Sequence, residues 1–230
     1  MLEMPSSDIY ERELFFMPYR DSINAVLNLS SKLTPSNGKV LDLMCGPGYL
    51  LGKLSIERPD LKLKGVDIEE KYIDTCKSKY SNMDFEVRNV LQWNTSNKFD
   101  LVLCTGAVHH LPYERQKEFI TRIPDFISDK GFAIVSDCYI GNYFNEKERQ
   151  REAARLGHAY LKATKENGAD KEVLDGARRI LINDITKKEF KTSIEKRSPI
   201  FEKIFNKVFV TKAWPDFNSG YGDYIHVLYP

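Results

Sequence analysis

Val40-Leu41-Asp42-Leu43-Met44-Cys45-Gly46-Pro47-Gly48 is the stretch that decides the fold. Residues of strand character run into a glycine-punctuated turn, and Tyr49 to Ile56 then takes up helical spacing. The same rhythm continues downstream. Leu63 to Val66 predicts a second strand and Glu69 to Tyr80 a second helix. Phe85-Glu86-Val87 and Leu101-Val102-Leu103-Cys104 predict a third and a fourth strand. Pro112 to Ile127 predicts a helix with proline in its first turn, and Phe132-Ala133-Ile134-Val135 a fifth strand. Strands alternating with helices imply parallel βαβ units, and apolar strand centres imply a sheet buried on both faces.

On either side of this core the pattern changes. Residues 11–34 carry helical spacing broken at Pro18, which predicts a leading helical lid over 1–37. Asn142 to Lys165 and Asp170 to Leu181 are highly charged, separated by Gly168, and contain no strand pattern. They predict a helical cap, 141–192, inserted between the core segments 38–140 and 193–230. Strand character returns at Lys207 to Ala213 and Tyr224 to Tyr229, joined by turn formers, which predicts an antiparallel hairpin. The expected class is α/β: a doubly wound, mostly parallel, seven-stranded sheet in one domain.

Bulk composition narrows the function. Of 230 residues, 34 are Lys or Arg and 33 Asp or Glu, a net charge of +1 that gives no overall pull toward nucleic acid or an anionic membrane. No apolar run has the length of a membrane helix, and MLEMPSSDIYERE lacks the apolar core of a secretion signal. Cys45, Cys76, Cys104 and Cys138 lie apart, with no CxxC pair, so no zinc site, no other metal and no disulfide framework is expected. The reading is a cytoplasmic protein, monomeric or homodimeric.

Ligands of open α/β sheets bind beyond the carboxyl ends of the strands. Asp42, Gly46 and Gly48 stand there at the first strand, and Asp67 ends the second, near the spacing at which a carboxylate meets ribose hydroxyls. Together these features predict a nucleoside-type ligand. A dinucleotide fingerprint would need a third glycine where Leu51 stands. Asp42 would also repel a diphosphate, whereas it favours a ligand bearing an ammonium group.

VLDLMCGPGYL resembles the first motif of class I S-adenosylmethionine-dependent methyltransferases, GVDIEE their acidic second motif, and FDLVLCTGAVHHLP the fourth-strand motif of the small-molecule branch. The resemblance covers about residues 38–140. It implies S-adenosylmethionine as cofactor and S-adenosylhomocysteine as product. It further implies that Met44, Gly46, Pro47 and Gly48 line the methionine moiety with Asp42 near its amino group. Asp67 would hold the ribose, Ile68 would pack on adenine, and Asn89 with Val90 would meet the adenine edge. Thr105 and Gly106 would contact the cofactor through backbone atoms, and Tyr19 would close over it. Tyr10, Arg20, Asp137 and Tyr139 are assigned to the acceptor pocket. His109 or His110 is the candidate base, since an imidazole titrates near neutral pH, though either is equally a packing or capping group.

His158, in the charged cap, reads as a solvated histidine, and the run from Lys187 to Lys207 as a solvated helix face rather than an RNA track. Absence of an Asn/Asp-Pro-Pro-aromatic motif after the fourth strand favours a small or medium-sized acceptor with an oxygen, nitrogen or carbon nucleophile. The alternatives are RNA or protein methylation, or S-adenosylmethionine binding without transfer.

Overall fold

The computed structural model describes residues 7–230; the first six residues of the expected lid, and the start of the segment compared with a secretion signal, lie outside them. The central strand β1 (Lys39–Leu43) is flanked by β2 (Lys62–Asp67) and then β3 (Asp84–Val87) on one side. On the other side follow β4 (Phe99–Thr105), β5 (Ile127–Tyr139), β7 (Gly222–Tyr229) and the edge strand β6 (Lys207–Trp214). The order 3-2-1-4-5-7-6 is parallel through β5, and β7 pairs antiparallel with β5 and β6. The winding therefore reverses between β1 and β4, which puts the crevice above Asp42 and Thr105.

Apolar side chains of β1 and β4 alternate between two cores. Val40, Leu101 and Leu103 pack with Val26, Leu51 and Ile73 on one face. Leu41, Val102 and Cys104 pack with Phe119, Phe126 and Phe201 on the other. Helices α2 (Tyr19–Leu33), α3 (Tyr49–Glu57) and α4 (Glu70–Lys79) serve the first face, α5 (Tyr113–Arg122) and α8 (Ile194–Ile204) the second. Helix α1 (Ser7–Phe16) and the cap helices α6 (Glu146–Glu166) and α7 (Lys171–Ile185) lie beyond the strand ends. Among the described residues, no helix is long and apolar enough to cross a membrane.

Three expectations need correction. The helix over 112–127 ends at Arg122, because Pro124 turns the chain into a short 3-10 segment, and Ile127 already begins β5. Strand β5 is consequently thirteen residues long rather than four. The run read as a solvated face contains α8, whose Arg197 and Phe201 are buried.

Candidate active site

The turn after β1 is left-handed at Met44, Gly46 and Gly48, with φ of 58°, 53° and 77°. Glycine is required at 48 for a second reason: a Cβ there would lie 2.8 Å from Cys76 Sγ. At Gly46 a Cβ would meet nothing within 4 Å, so this turn of backbone faces open space at the strand ends. Asp67 braces it: Oδ2 accepts from Gly46 N at 2.8 Å, while Oδ1 accepts from Glu69 N at 2.9 Å.

Asp42 is 3% exposed, and no described residue donates a hydrogen bond to its carboxylate. Burial, reinforced by the neighbouring charge of Asp67, pushes its pKa up to about 7. A buried carboxylate without a partner is costly. The narrow void against it, about 20 Å³, is lined by Tyr10, Leu14, Met44, Tyr49 and Thr105, and has room for roughly one water. Tyr10 closes it from α1: Tyr19 donates to the Tyr10 hydroxyl at 2.7 Å, and burial drives the Tyr10 pKa up to about 12. Tyr19 also covers Gly106, whose φ is 63° and whose Cβ position lies 3.6 Å from the tyrosine ring. The Thr105 hydroxyl is buried without a partner at the same edge.

Farther along the crevice Ile68 leaves its side chain 58% exposed at the end of β2, a free apolar platform. Asn89 uses its side-chain oxygen locally, accepting from Leu91 N at 3.0 Å, so its amide NH₂ rather than its oxygen is free. Pro47 is buried in the turn, and Val90 turns its side chain into the core beneath β2 and β4.

Beyond β4 a short 3-10 turn, Val108–His110, carries the histidine pair. His109 Nδ1 lies 2.5 Å from Asp137 Oδ1, and its Nε2 lies 3.8 Å from Glu189 Oε2. His110 Nδ1 lies 2.8 Å from the same Glu189 oxygen. Burial holds His109 below its ordinary pKa and outweighs the pull of Asp137. For His110 burial works the same way, yet the Glu189 carboxylate prevails and raises it. Glu189 is held at about 2: burial opposes its charge, but the hydrogen bond from His110 together with the charges of His110, His109 and Lys191 outweighs it. Beside them Lys191 donates to Asp184 at 2.6 Å, both fully buried. Two sets of metal-ligating side chains result, His109 with His110 and Glu189, and His109 with Asp137 and Cys138.

The expected acceptor residues divide. Tyr10 lines the void beside Asp42, while Asp137 is 2% exposed and held between His109 and Arg197. Arg20 does not reach the crevice: its guanidinium donates to Phe15 O at 2.9 Å and pairs with Asp21. Tyr139 is 1% exposed and packs beneath the strand ends against Arg197, Tyr224 and His226. Glu189, Lys191 and Arg197 fall in the run read as a solvated face, and the structure buries all three. Within a run of alternating charge they show no local feature distinguishing them from solvated residues, and only the return of the chain behind His110 buries them. His158 is exposed, as expected.

An unpartnered buried carboxylate, an open glycine turn and a second carboxylate at the next strand end fit a ligand with an ammonium and a ribose.

Sheet order, turn and strand-end carboxylates together define a class I S-adenosylmethionine-dependent methyltransferase fold, and S-adenosylmethionine is its cofactor. The chain belongs to the methyltransferase domain family, whose model matches residues 35–200. The carboxy-S-adenosyl-L-methionine synthase of Campylobacter lari is 28% identical over 123 residues, 52% of each chain. That match spans about half the relative's length. The corresponding enzyme of Campylobacter concisus is 24% identical over 216 residues, 92% of this chain and 87% of the other. Among solved structures, the N-methyltransferase NodS of Bradyrhizobium japonicum, in complex with S-adenosyl-L-homocysteine, superposes with a TM-score of 0.59 at 14% identity. It covers 94% of this chain and 89% of its own, and shares the fold.

Proposed function

We propose that this protein transfers a methyl group from S-adenosylmethionine to an oxygen, nitrogen or carbon nucleophile of a small or medium-sized molecule. The observation that carries the reading is Asp42, a buried carboxylate without a hydrogen-bond partner, beside the open turn at Gly46. Its charge suits the ammonium of the cofactor's amino-acid end. Asp67 has the position to meet the ribose hydroxyls and Ile68 to pack on the adenine. Thr105 and Gly106 line the methionine side under Tyr19.

The bound cofactor supplies an electrophilic methyl carbon whose leaving sulfur becomes neutral. What remains for the protein is to aim the acceptor, exclude water and activate the nucleophile. Tyr10 and Tyr19 close the crevice. The His109–His110 pair, oriented by Asp137 and Glu189, lies at the end of β4 where the acceptor's proton must leave. Cap and lid move together in this reading, since Arg12 of α1 pairs with Asp170 and Glu172 of the cap, and Asn167 donates to Phe16 O at 2.7 Å. A closed cap favours small acceptors.

The test is calorimetric titration with S-adenosylmethionine, S-adenosylhomocysteine and NADH, followed by an acceptor panel scored for S-adenosylhomocysteine release. Micromolar binding of the first two, with release that depends on an acceptor and on His109, supports the reading. Binding of NADH alone refutes it. The curated relatives are named for making a carboxylated cofactor. A second reading follows from that name: consumption of S-adenosylmethionine without release of S-adenosylhomocysteine would place this chain with them.

A further inference from the structure

Glu189 stands between two imidazoles, and His109 shows it a lone pair. A carboxylate only accepts, so the 2.5 Å contact with Asp137 puts the His109 proton on Nδ1. In the neutral ring Nε2 is then unprotonated, and it faces Glu189 Oε2 at 3.8 Å in a setting where both side chains are about one-tenth exposed. That oxygen also accepts from His110 Nδ1 at 2.8 Å, so without an ion His110 holds a proton on the nitrogen that faces Glu189.

A divalent ion that displaced that proton would be shared by both imidazoles and the carboxylate. His109, His110 and Glu189 each offer one ligating atom to a group in which these atoms all lie within 4.8 Å of one another. Asp137 supplies the supporting carboxylate that metal-bound histidines commonly have on their other nitrogen. The peptide carrying Glu189 is clamped against the histidine turn. Phe190 N donates to His109 O at 2.8 Å, Gln116 Nε2 donates to both Leu111 O and Phe190 O at 2.8 Å, and Tyr113 donates to Lys191 O at 2.9 Å. The three ligands are thus held in register before any ion arrives. Lys191 is paired with Asp184, and Arg197 faces Asp137 at 3.6 Å, so Glu189 is the carboxylate whose charge is left for an ion.

We propose that His109, His110 and Glu189 form a site for one divalent transition-metal ion, with Asp137 orienting His109. Two imidazoles and one carboxylate suit zinc, iron(II), cobalt or nickel better than magnesium or calcium. The ion lies at the end of β4, where the proposed methyltransferase reading puts the acceptor. An acceptor oxygen or nitrogen bound to it would lose its proton more readily. This deepens that reading by making the histidines ligands rather than the base itself.

The experiment titrates the chelator-treated protein with Co²⁺, followed by visible absorption and calorimetry. Folding is checked by circular dichroism and S-adenosylhomocysteine binding is measured alongside. The expected result is one ion per chain, with affinity at least tenfold weaker in His110→Ala and Glu189→Gln, about tenfold weaker in Asp137→Asn, and unchanged in His158→Ala. No stoichiometric Co²⁺ binding by folded protein, or binding indifferent to Glu189→Gln, overturns the site. The two readings fail separately. Cobalt binding without S-adenosylhomocysteine binding sinks the methyltransferase reading and keeps the metal, and the reverse outcome does the opposite.

Discussion

The two sides of the crevice are built by different means. The cofactor side, from β1 to β4, uses residues at strand ends and in one tight turn, each placed by the peptide next to it. The acceptor side uses partners far apart in the chain: His110 meets Glu189, 79 positions away, and Tyr160 of α6 donates to Asp223 of β7, 63 away. Local placement survives changes elsewhere in the molecule, whereas distant placement depends on the cap staying docked. Variants on the two sides should therefore separate binding from stability.

The largest effect belongs to Asp67→Ala. It removes both prospective ribose acceptors and the brace on Gly46 N. At about 1.5–3 kcal/mol for each charge-assisted hydrogen bond, S-adenosylhomocysteine affinity should fall by about 100-fold or more. Calorimetry decides this. A loss below tenfold would mean that the cofactor does not lie along β2, and the contrast between the two sides would lose its first term.

On the cap side the strongest single support is Arg149, whose side chain is 2% exposed. It donates to Asp184 O and Ile185 O, both at 2.8 Å, tying α6 to the last turn of α7. Arg149→Ala leaves two buried carbonyls unpaired and should cost about 3 kcal/mol in denaturant unfolding. S-adenosylhomocysteine affinity should stay within about twofold. If binding falls in step with stability, cap and cofactor side form one unit and the comparison breaks.

The pH dependence sharpens the same contrast through Asp42. With a folded pKa of about 7, well above the ordinary carboxylate value, the ligand-free protein holds a proton that the unfolded chain has already lost. That protonation stabilises the fold at lower pH, and the benefit disappears as pH rises through 7. Cofactor binding has the opposite sign, because the ammonium requires the ionised carboxylate. Affinity for S-adenosylhomocysteine should rise from pH 6 to pH 8, by up to about tenfold per unit below 7. Asp42→Asn should flatten that slope, weaken binding at pH 8 and, without ligand, melt higher than the native protein above pH 7. A native slope that persists in the variant would assign the titration to another group.

These differences also explain what was legible in the sequence. Asp42, Gly46, Gly48 and Asp67 could be placed because a strand, a turn and the next strand's end are local patterns with known spacing. The sheet followed from the same rhythm. Glu189 and Lys191 could not be placed, since a charge in a mixed run says nothing about what folds back over it. Arg20 failed for a related reason: its helix was recognised, but not the Phe15 carbonyl that captures its side chain. The run that holds α8 was read as a helix face, and Pro199 does not break that helix, but the burial of Arg197 and Phe201 could not be read from its charges.

The smallest predicted effect compares two glycines, one on each side. Gly48 and Gly168 both have left-handed φ, 77° and 82°, so alanine at either carries a backbone penalty of about 1 kcal/mol. Around Gly168, between the cap helices, a Cβ would meet nothing within 4 Å, and the cost should stop there. At Gly48 it would approach Cys76 Sγ to 2.8 Å and the Tyr80 ring to 3.2 Å, in the turn that faces the cofactor. Gly48→Ala should therefore lose clearly more stability in chemical denaturation, and should weaken S-adenosylhomocysteine binding as well, while Gly168→Ala leaves binding unchanged. Equal losses would mean that the turn after β1 yields as freely as the cap linker. Its role as a fixed cradle would then fall, even with Asp42 and Asp67 still in place.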